Sequence, residues 1–179
     1  MIVGLAGKKG SGKSSLAKML IDKNKYYRYS FADPIKKMVR SMLDDYDIDF
    51  DSIEIDKDSF IEPCRNSYRH ILQTLGTEWG RKLLCHDIWI KLMSKRLDYD
   101  HENIVIDDVR FQNEAEMIRD RGGLIIYISR EYSYSIDRHE SEINFIPSKN
   151  DAKIENNGNL ENLYERAFSA IISHMDRRA

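Results

Sequence analysis

An α/β fold, a parallel central sheet flanked by helices in three layers, is what this sequence predicts, and three observations carry it. The apolar run Ile2 to Ala6 leads directly into Gly7-Lys8-Lys9-Gly10-Ser11-Gly12-Lys13-Ser14, which fits the pattern G-x-x-x-x-G-K-[ST] at every specified position. Helix-patterned segments then alternate with short apolar runs, and that alternation builds a parallel sheet covered on both faces. Finally, Ile104-Val105-Ile106 ends in Asp107 and Asp108, the apolar-run-then-acid form that sets a carboxylate beside Mg²⁺ in phosphate-loop enzymes. Together these specify the three-layer P-loop NTPase fold.

Each element follows from its own signals. After the loop, Leu16 with Leu20 and Ala17 with Ile21 repeat at helical spacing, and Tyr26 to Ser30 reads as a short strand. Asp33-Pro34 marks a helix start, an N-cap carboxylate before proline, and Ile35, Met38, Val39, Met42 and Leu43 line one face. From Asp44 to Asp58 the chain turns acidic, and about 44–66 is expected to be a solvated, mobile excursion. Its Asp47, Asp49, Asp51 spacing is not a calcium loop, because Ser52 and Asp58 stand where glycine and a bidentate glutamate are needed. Ile71, Leu72 and Leu75 are helical, Gly76-Thr77 and Gly80 punctuate them, and a helix resumes after Asp87 with Ile88, Trp89, Leu92, Met93 and Leu97. Asn103 to Asp108 is a buried-type strand, Phe111 to Arg121 a helix closed by Gly122-Gly123, and Leu124 to Ser129 another strand. About 130–150 is polar and lid-like, Lys153 to Glu155 a last short strand, and Asn159 the cap of a final helix. No internal repeat is present, so residues 1–179 are expected to form a single domain.

Composition limits the partners. Lysine plus arginine number 28 against 30 acidic residues, a net charge of −2, which gives no global field to attract nucleic acid or an anionic membrane. Any bound polyanion is expected to be small and held locally. Cys64 and Cys85 lack metal-ligand spacing and read as reduced thiols, and no signal peptide or spanning helix can be drawn, which points to the cytoplasm. Scattered histidines, no nucleophile elbow and no Asn-Lys-x-Asp element argue against zinc hydrolysis, serine hydrolysis and a GTPase.

The chemistry expected of the loop is phosphate binding. Backbone N–H groups from Gly7, Gly10, Ser11, Gly12, Ser14 and Ser15 converge on phosphate oxygens, Lys13 reaches the β- and γ-phosphates, and the Ser14 hydroxyl meets Mg²⁺. Side chains alternate along a strand, so only one of Asp107 and Asp108 can face the phosphates. Arg110 suits neutralisation of a transferring phosphoryl group, with a surface ion pair as the alternative. Lys36, Lys37, Arg69 and Arg81 carry the same two readings, and their segments also hold Gln73, Thr77 and Trp89, which suit contacts to a base and sugar. Periodicity alone favours Trp89 as a core residue.

Four blocks give the chain a resemblance to the deoxynucleoside monophosphate kinases encoded by bacteriophages. They are Gly7 to Ser14; Phe31-Ala32-Asp33-Pro34-Ile35-Lys36; Tyr68 to Arg81 continuing into Asp87-Ile88-Trp89-Ile90; and Ile104 through Asp108-Val109-Arg110-Phe111-Gln112-Asn113-Glu114 to Gly122-Gly123. His139-Glu140-Ser141-Glu142 and Ile154-Glu155-Asn156-Asn157-Gly158 resemble the family's tail. The resemblance implies an adenylate-kinase-like fold and transfer of the γ-phosphoryl group of ATP, with Mg²⁺, to a deoxynucleoside 5'-monophosphate. By matching position it assigns Lys9, Lys36, Arg69, Trp89 and Arg110 to the acceptor, with Gln73, Gly76 and Thr77 shaping its pocket. Lys13, Ser14 and Asp108 then hold ATP and metal, which selects Asp108 over Asp107, and Arg130 and the Asn156-Asn157-Gly158 turn fall on the adenine side. A homodimer is compatible with the resemblance. The rivals are a P-loop kinase for another small metabolite and an ATP-binding regulator that transfers nothing.

Overall fold

The central strand β1 (Ile2–Ala6) is hydrogen-bonded on one side to β5 (Ile104–Val109) and on the other to β6 (Leu124–Ser129). The computed structural model describes residues 1–99, 103–131 and 145–178. With β2 (Tyr27–Tyr29) beside β5 and β7 (Ala152–Glu155) beside β6, the sheet runs β2-β5-β1-β6-β7, and every pairing is parallel. A second, two-stranded antiparallel sheet pairs β3 (Phe60–Ile61) with β4 (Asn66–Ser67). Chain contacts divide the molecule into two compact units, one of residues 1–31 and 93–179, the other of residues 32–92.

In the first unit the period-2 pattern of the strands builds two apolar faces. Val3, Leu5, Val105, Leu124, Ile126 and Ile128 turn to one side, where α1 (Lys13–Asn24) contributes Leu16, Ala17 and Leu20 and α7 (Leu160–Asp176) contributes Leu163, Ala167 and Ile171. Gly4 and Ile125 turn the other way and meet Ile118 of α6 (Gln112–Asp120). A side chain at Gly4 would collide with Ile125 and Ile118, so the central strand is glycine where this helix packs closest. Asn159 caps α7 as expected, its side chain accepting from Asn162 N at 2.9 Å.

The second unit contains α2 (Asp33–Met42), α3 (Phe50–Ile55), β3, β4 and α4 (Tyr68–Gln73), and the start of α5 (Ile88–Leu97). Its core is Val39, Leu43, Ile61, Tyr68 and Ile71. The Asp33-Pro34 start is displaced by one residue: Ala32 occupies the cap position and Asp33 is the first helical residue. Residues 44–66 carry more structure than the sequence suggested. Asp49 caps α3 by accepting from Asp51 N and Ser52 N, and Ile48, Phe50 and Ile53 pack against the Tyr68 cluster.

The glycines of the 74–84 segment do not break the helix. α4 continues into a π-helical run, Thr74–Leu84, in which Gly76 and Gly80 are buried. A Cβ on Gly80 would collide with the Trp89 ring, and the Trp89 N–H donates to Gly76 O at 2.7 Å. Widening the helix here admits the indole, a use of π-helical turns that proximity of a large side chain explains.

Candidate functional site

The first unit brings the phosphate loop and the acid-arginine pair to the same sheet edge. In an open parallel sheet this carboxyl edge, where strand order reverses around β1, is where ligands bind. Gly7 has φ of 138° and Gly12 of 108°, conformations natural to glycine, and a Cβ on Gly7 would collide with Ile128 O. The loop therefore closes onto the end of β6 while its next residues open α1.

Lys13 lies across this loop. Its ammonium donates to Gly7 O at 2.6 Å and to Lys8 O at 2.8 Å. Burial lowers its pKa to about 8, repulsion from Arg110 adds to that, and the Asp107 and Asp108 carboxylates act the other way. Lys13 thus sits in the field of Arg110, Asp107 and Asp108, a perturbed environment of the kind that clusters at functional sites.

The two aspartates separate as alternation requires. Asp107 is 8% exposed and accepts from Arg28 Nε at 2.7 Å. Asp108 accepts from Ser30 Oγ at 2.6 Å and from Phe31 N at 2.8 Å, which fixes its carboxylate against the end of β2. Arg110 follows β5, and its backbone N–H is held at 2.8 Å by Glu114, whose carboxylate also accepts from Phe111 N at 3.0 Å. Glu114 is buried and reaches back over the first turn of α6, so it anchors the backbone that presents Arg110.

A cleft of about 360 Å³ opens beside the loop, lined among others by Gly10, Gly12, Ser14, Ser15, Arg130 and Asn156. Asn156 donates to Ser11 O at 2.9 Å and so ties the loop to the strand end after β7. Asn157 faces elsewhere, accepting from Glu131 N at 3.2 Å. Of the Asn156-Asn157-Gly158 turn, Asn156 and Gly158 line the cleft. Lys9 is exposed on the loop. Most of the lid-like 130–150 segment, Arg138 and His139 to Glu142 lie outside the described residues.

The second unit holds the other expected acceptor residues. Lys36 is 14% exposed and pairs with Glu54 at 2.8 Å; Arg69 is 18% exposed and pairs with Asp58 at 2.7 Å. Gln73 is half-buried, and Gly76 and Thr77 are buried in the continuous helix. Trp89 is 4% exposed, its ring lies on Gly80 and its N–H donates to Gly76 O, the packing that its helical periodicity points to. It sets the backbone of Gly76 and Gly80. Trp89→Phe, which keeps a ring and deletes the donor, is expected to cost about 0.5–1.5 kcal/mol of stability by removing a buried hydrogen bond. Urea unfolding checks this, and an unchanged midpoint would mean that Gly76 O finds another donor.

Sequence reasoning did not assign a role to Ser30 or Glu114. Glu114 carries a local signal, a glutamate three residues into a helix, whereas Ser30 acts on a residue far away in the chain and leaves none.

A glycine loop at the end of a central parallel strand, an ammonium inside it, and an acid and arginine on the adjacent strand define a P-loop nucleotide-binding protein. Its fold is shared by the shikimate kinase of Aquifex aeolicus, with a TM-score of 0.59 over 98% of both chains at 17% identity. The sequence profile of the deoxynucleotide monophosphate kinases matches residues 46–167, and the chain belongs to that family. A relative from Acanthamoeba polyphaga mimivirus with the same description is 31% identical over 96% of each chain. The deoxynucleoside-5'-monophosphate kinase of Escherichia phage T5 is 26% identical over 83% of this chain and 86% of its own. No helix among the described residues is long and apolar enough to cross a membrane.

Proposed function

We propose that this chain transfers the γ-phosphoryl group of ATP to a deoxynucleoside 5'-monophosphate, giving the diphosphate. The observation that supports it best is the Lys13 ammonium, seated in the loop and electrostatically coupled to Asp107, Asp108 and Arg110. Such a centre stabilises charge on a transferring phosphoryl group, and this reaction needs little else beyond alignment. Lys13 and Arg110 neutralise the phosphoryl oxygens, and the loop amides from Gly7 to Ser15 hold the remaining donor phosphates. Arg130 and Asn156 flank the donor's base side. The family resemblance assigns Lys9 and Arg110 of the first unit, and Lys36, Arg69, Gln73 and Thr77 of the second, to the acceptor; within the second unit Trp89 sets the backbone of Gly76.

The donor set fits Mg²⁺: the Ser14 hydroxyl and the Asp108 carboxylate are hard oxygen ligands, and Asp108 is already oriented by Ser30 and Phe31. Bound there, Mg²⁺ would supply charge neutralisation at the donor's phosphates. Its net charge of −2 supports small nucleotides, rather than nucleic acid or a membrane, as what it binds; the family resemblance is compatible with a homodimer and, for a phage-encoded chain, with the cytoplasm of the host cell.

A coupled assay of ADP release with ATP, Mg²⁺ and each of the four deoxynucleoside monophosphates, beside their ribose counterparts, tests the reading. Turnover with at least one deoxynucleotide is expected. Phosphorylation of a small metabolite alone would leave the loop chemistry and remove the acceptor, and tight ATP binding without product would make the chain a regulator.

A further inference from the structure

The two cations that the second unit offers the acceptor are each gripped by a carboxylate from one acidic segment. Glu54, on α3, accepts from Lys36 at 2.8 Å through Oε2 and from the Tyr68 hydroxyl at 2.9 Å through Oε1, with Lys57 at 3.4 Å. Burial raises its pKa, but the hydrogen bond and charge of Lys36, with Lys57 and Tyr68, outweigh burial and hold it below the ordinary carboxylate value. Asp58 takes the side edge of Arg69, with Nε at 2.7 Å and Nη2 at 3.5 Å. The same segment is laced to the start of α4 by backbone bonds, Tyr68 N to Ser59 O at 3.1 Å and Arg69 N to Lys57 O at 2.7 Å.

We propose that Glu54 and Asp58 are positioning residues of the acceptor subsite, holding the Lys36 ammonium and the Arg69 guanidinium oriented for the phosphomonoester dianion of the incoming nucleotide. This rests on the reading of Lys36 and Arg69 as acceptor contacts. Each carboxylate could instead occupy the phosphate's place and oppose binding. The geometry favours positioning. A guanidinium has two hydrogen-bonding edges and Asp58 uses the Nε side, while an ammonium has three donors and Glu54 takes one. Cations already immobilised lose little further side-chain entropy when the phosphate arrives. The acidic stretch therefore lowers the KM of the acceptor despite its charge.

Steady-state kinetics of the full chain test this, with a deoxynucleoside monophosphate that the wild type phosphorylates, varied at saturating ATP and the reverse. Glu54→Gln and Asp58→Asn are each expected to raise the acceptor KM by about tenfold or more, as loss of a charge-assisted hydrogen bond does, with kcat and the KM for ATP within about twofold. Asp58→Glu, which restores the charge, is expected to recover part of the loss. An acceptor KM that stays the same or falls in these variants overturns the proposal. Lys36→Ala and Arg69→Ala separate the two levels. If they raise the acceptor KM and the carboxylate variants do not, positioning fails and the acceptor reading stands; if they leave it unchanged, both fail. Should Glu54→Gln not fold, Asp58→Asn decides alone, because the Asp58 side chain is 56% exposed and outside the core.

Discussion

Lys13→Ala is expected to lower turnover by about a hundredfold or more, as removal of a charge aimed at the transferring group does elsewhere. The side chain has two functions here. Its ammonium bonds Gly7 O and Lys8 O and so helps hold the loop shape, and its charge lies in the field of Asp107, Asp108 and Arg110. Alanine removes both. Lys13→Met separates them from the effect of side-chain bulk, since it fills similar space without donors. Both variants are expected to lose turnover together, and near wild-type turnover with all four deoxynucleotides would remove Lys13 from the mechanism.

The same residue sets a pH dependence whose sign can be worked out. Lysine has an ordinary pKa of 10.5, and in the folded, ligand-free protein Lys13 titrates at about 8. Between those values the unfolded chain binds a proton that the folded one has lost, so this group makes the empty protein more stable as pH rises through that window. Nucleotide binding runs the other way, because polyphosphate favours the ammonium. ATP affinity is therefore expected to fall as pH rises above about 8, and calorimetry near pH 8.5 in buffers of different ionisation enthalpy is expected to show proton uptake. Proton release on binding would contradict the assignment.

How much of this was legible in the sequence depends on how local each signal is. The loop, its flanking strand and α1 were readable because the glycines, lysine and apolar run act within a few residues of one another. The strand Leu124–Ser129 and the Asn159 cap were readable for the same reason. Gly76 and Gly80 punctuate the apolar pattern without ending the helix, because each marks a close approach, Gly80 to the Trp89 ring and Gly76 to Ile35. The choice between Asp107 and Asp108 was closed to spacing alone; the partners that distinguish them, Arg28 for one and Ser30 and Phe31 for the other, belong to a strand far away in sequence. The pairings of Lys36 with Glu54 and Arg69 with Asp58 lay equally out of reach, since an acidic run looks the same whether it is solvated or holds cations.

Asp108→Asn is expected to reduce kcat by about a hundredfold while leaving the fold intact, because the charge matters to the phosphates and the shape matters to β2. The carboxamide keeps an acceptor for Phe31 N, and the Ser30 hydroxyl, now 2.6 Å from Asp108, can turn from donor to acceptor when it faces the new amide. What disappears is a negative charge beside Lys13 and a hard ligand for the metal. Two readouts follow from that single loss. The Mg²⁺ concentration needed for half-maximal rate is expected to rise, and the alkaline limb of ATP binding is expected to move below pH 8, since Asp108 helps to raise the Lys13 pKa. Ser30→Ala provides the contrast: it removes the hydroxyl that orients the carboxylate and keeps the charge, so the Lys13 limb stays in place while kcat falls by less. A full kcat with unchanged Mg²⁺ dependence in Asp108→Asn would transfer the metal-holding role away from this strand end, and Asp107 would then be the carboxylate to substitute next.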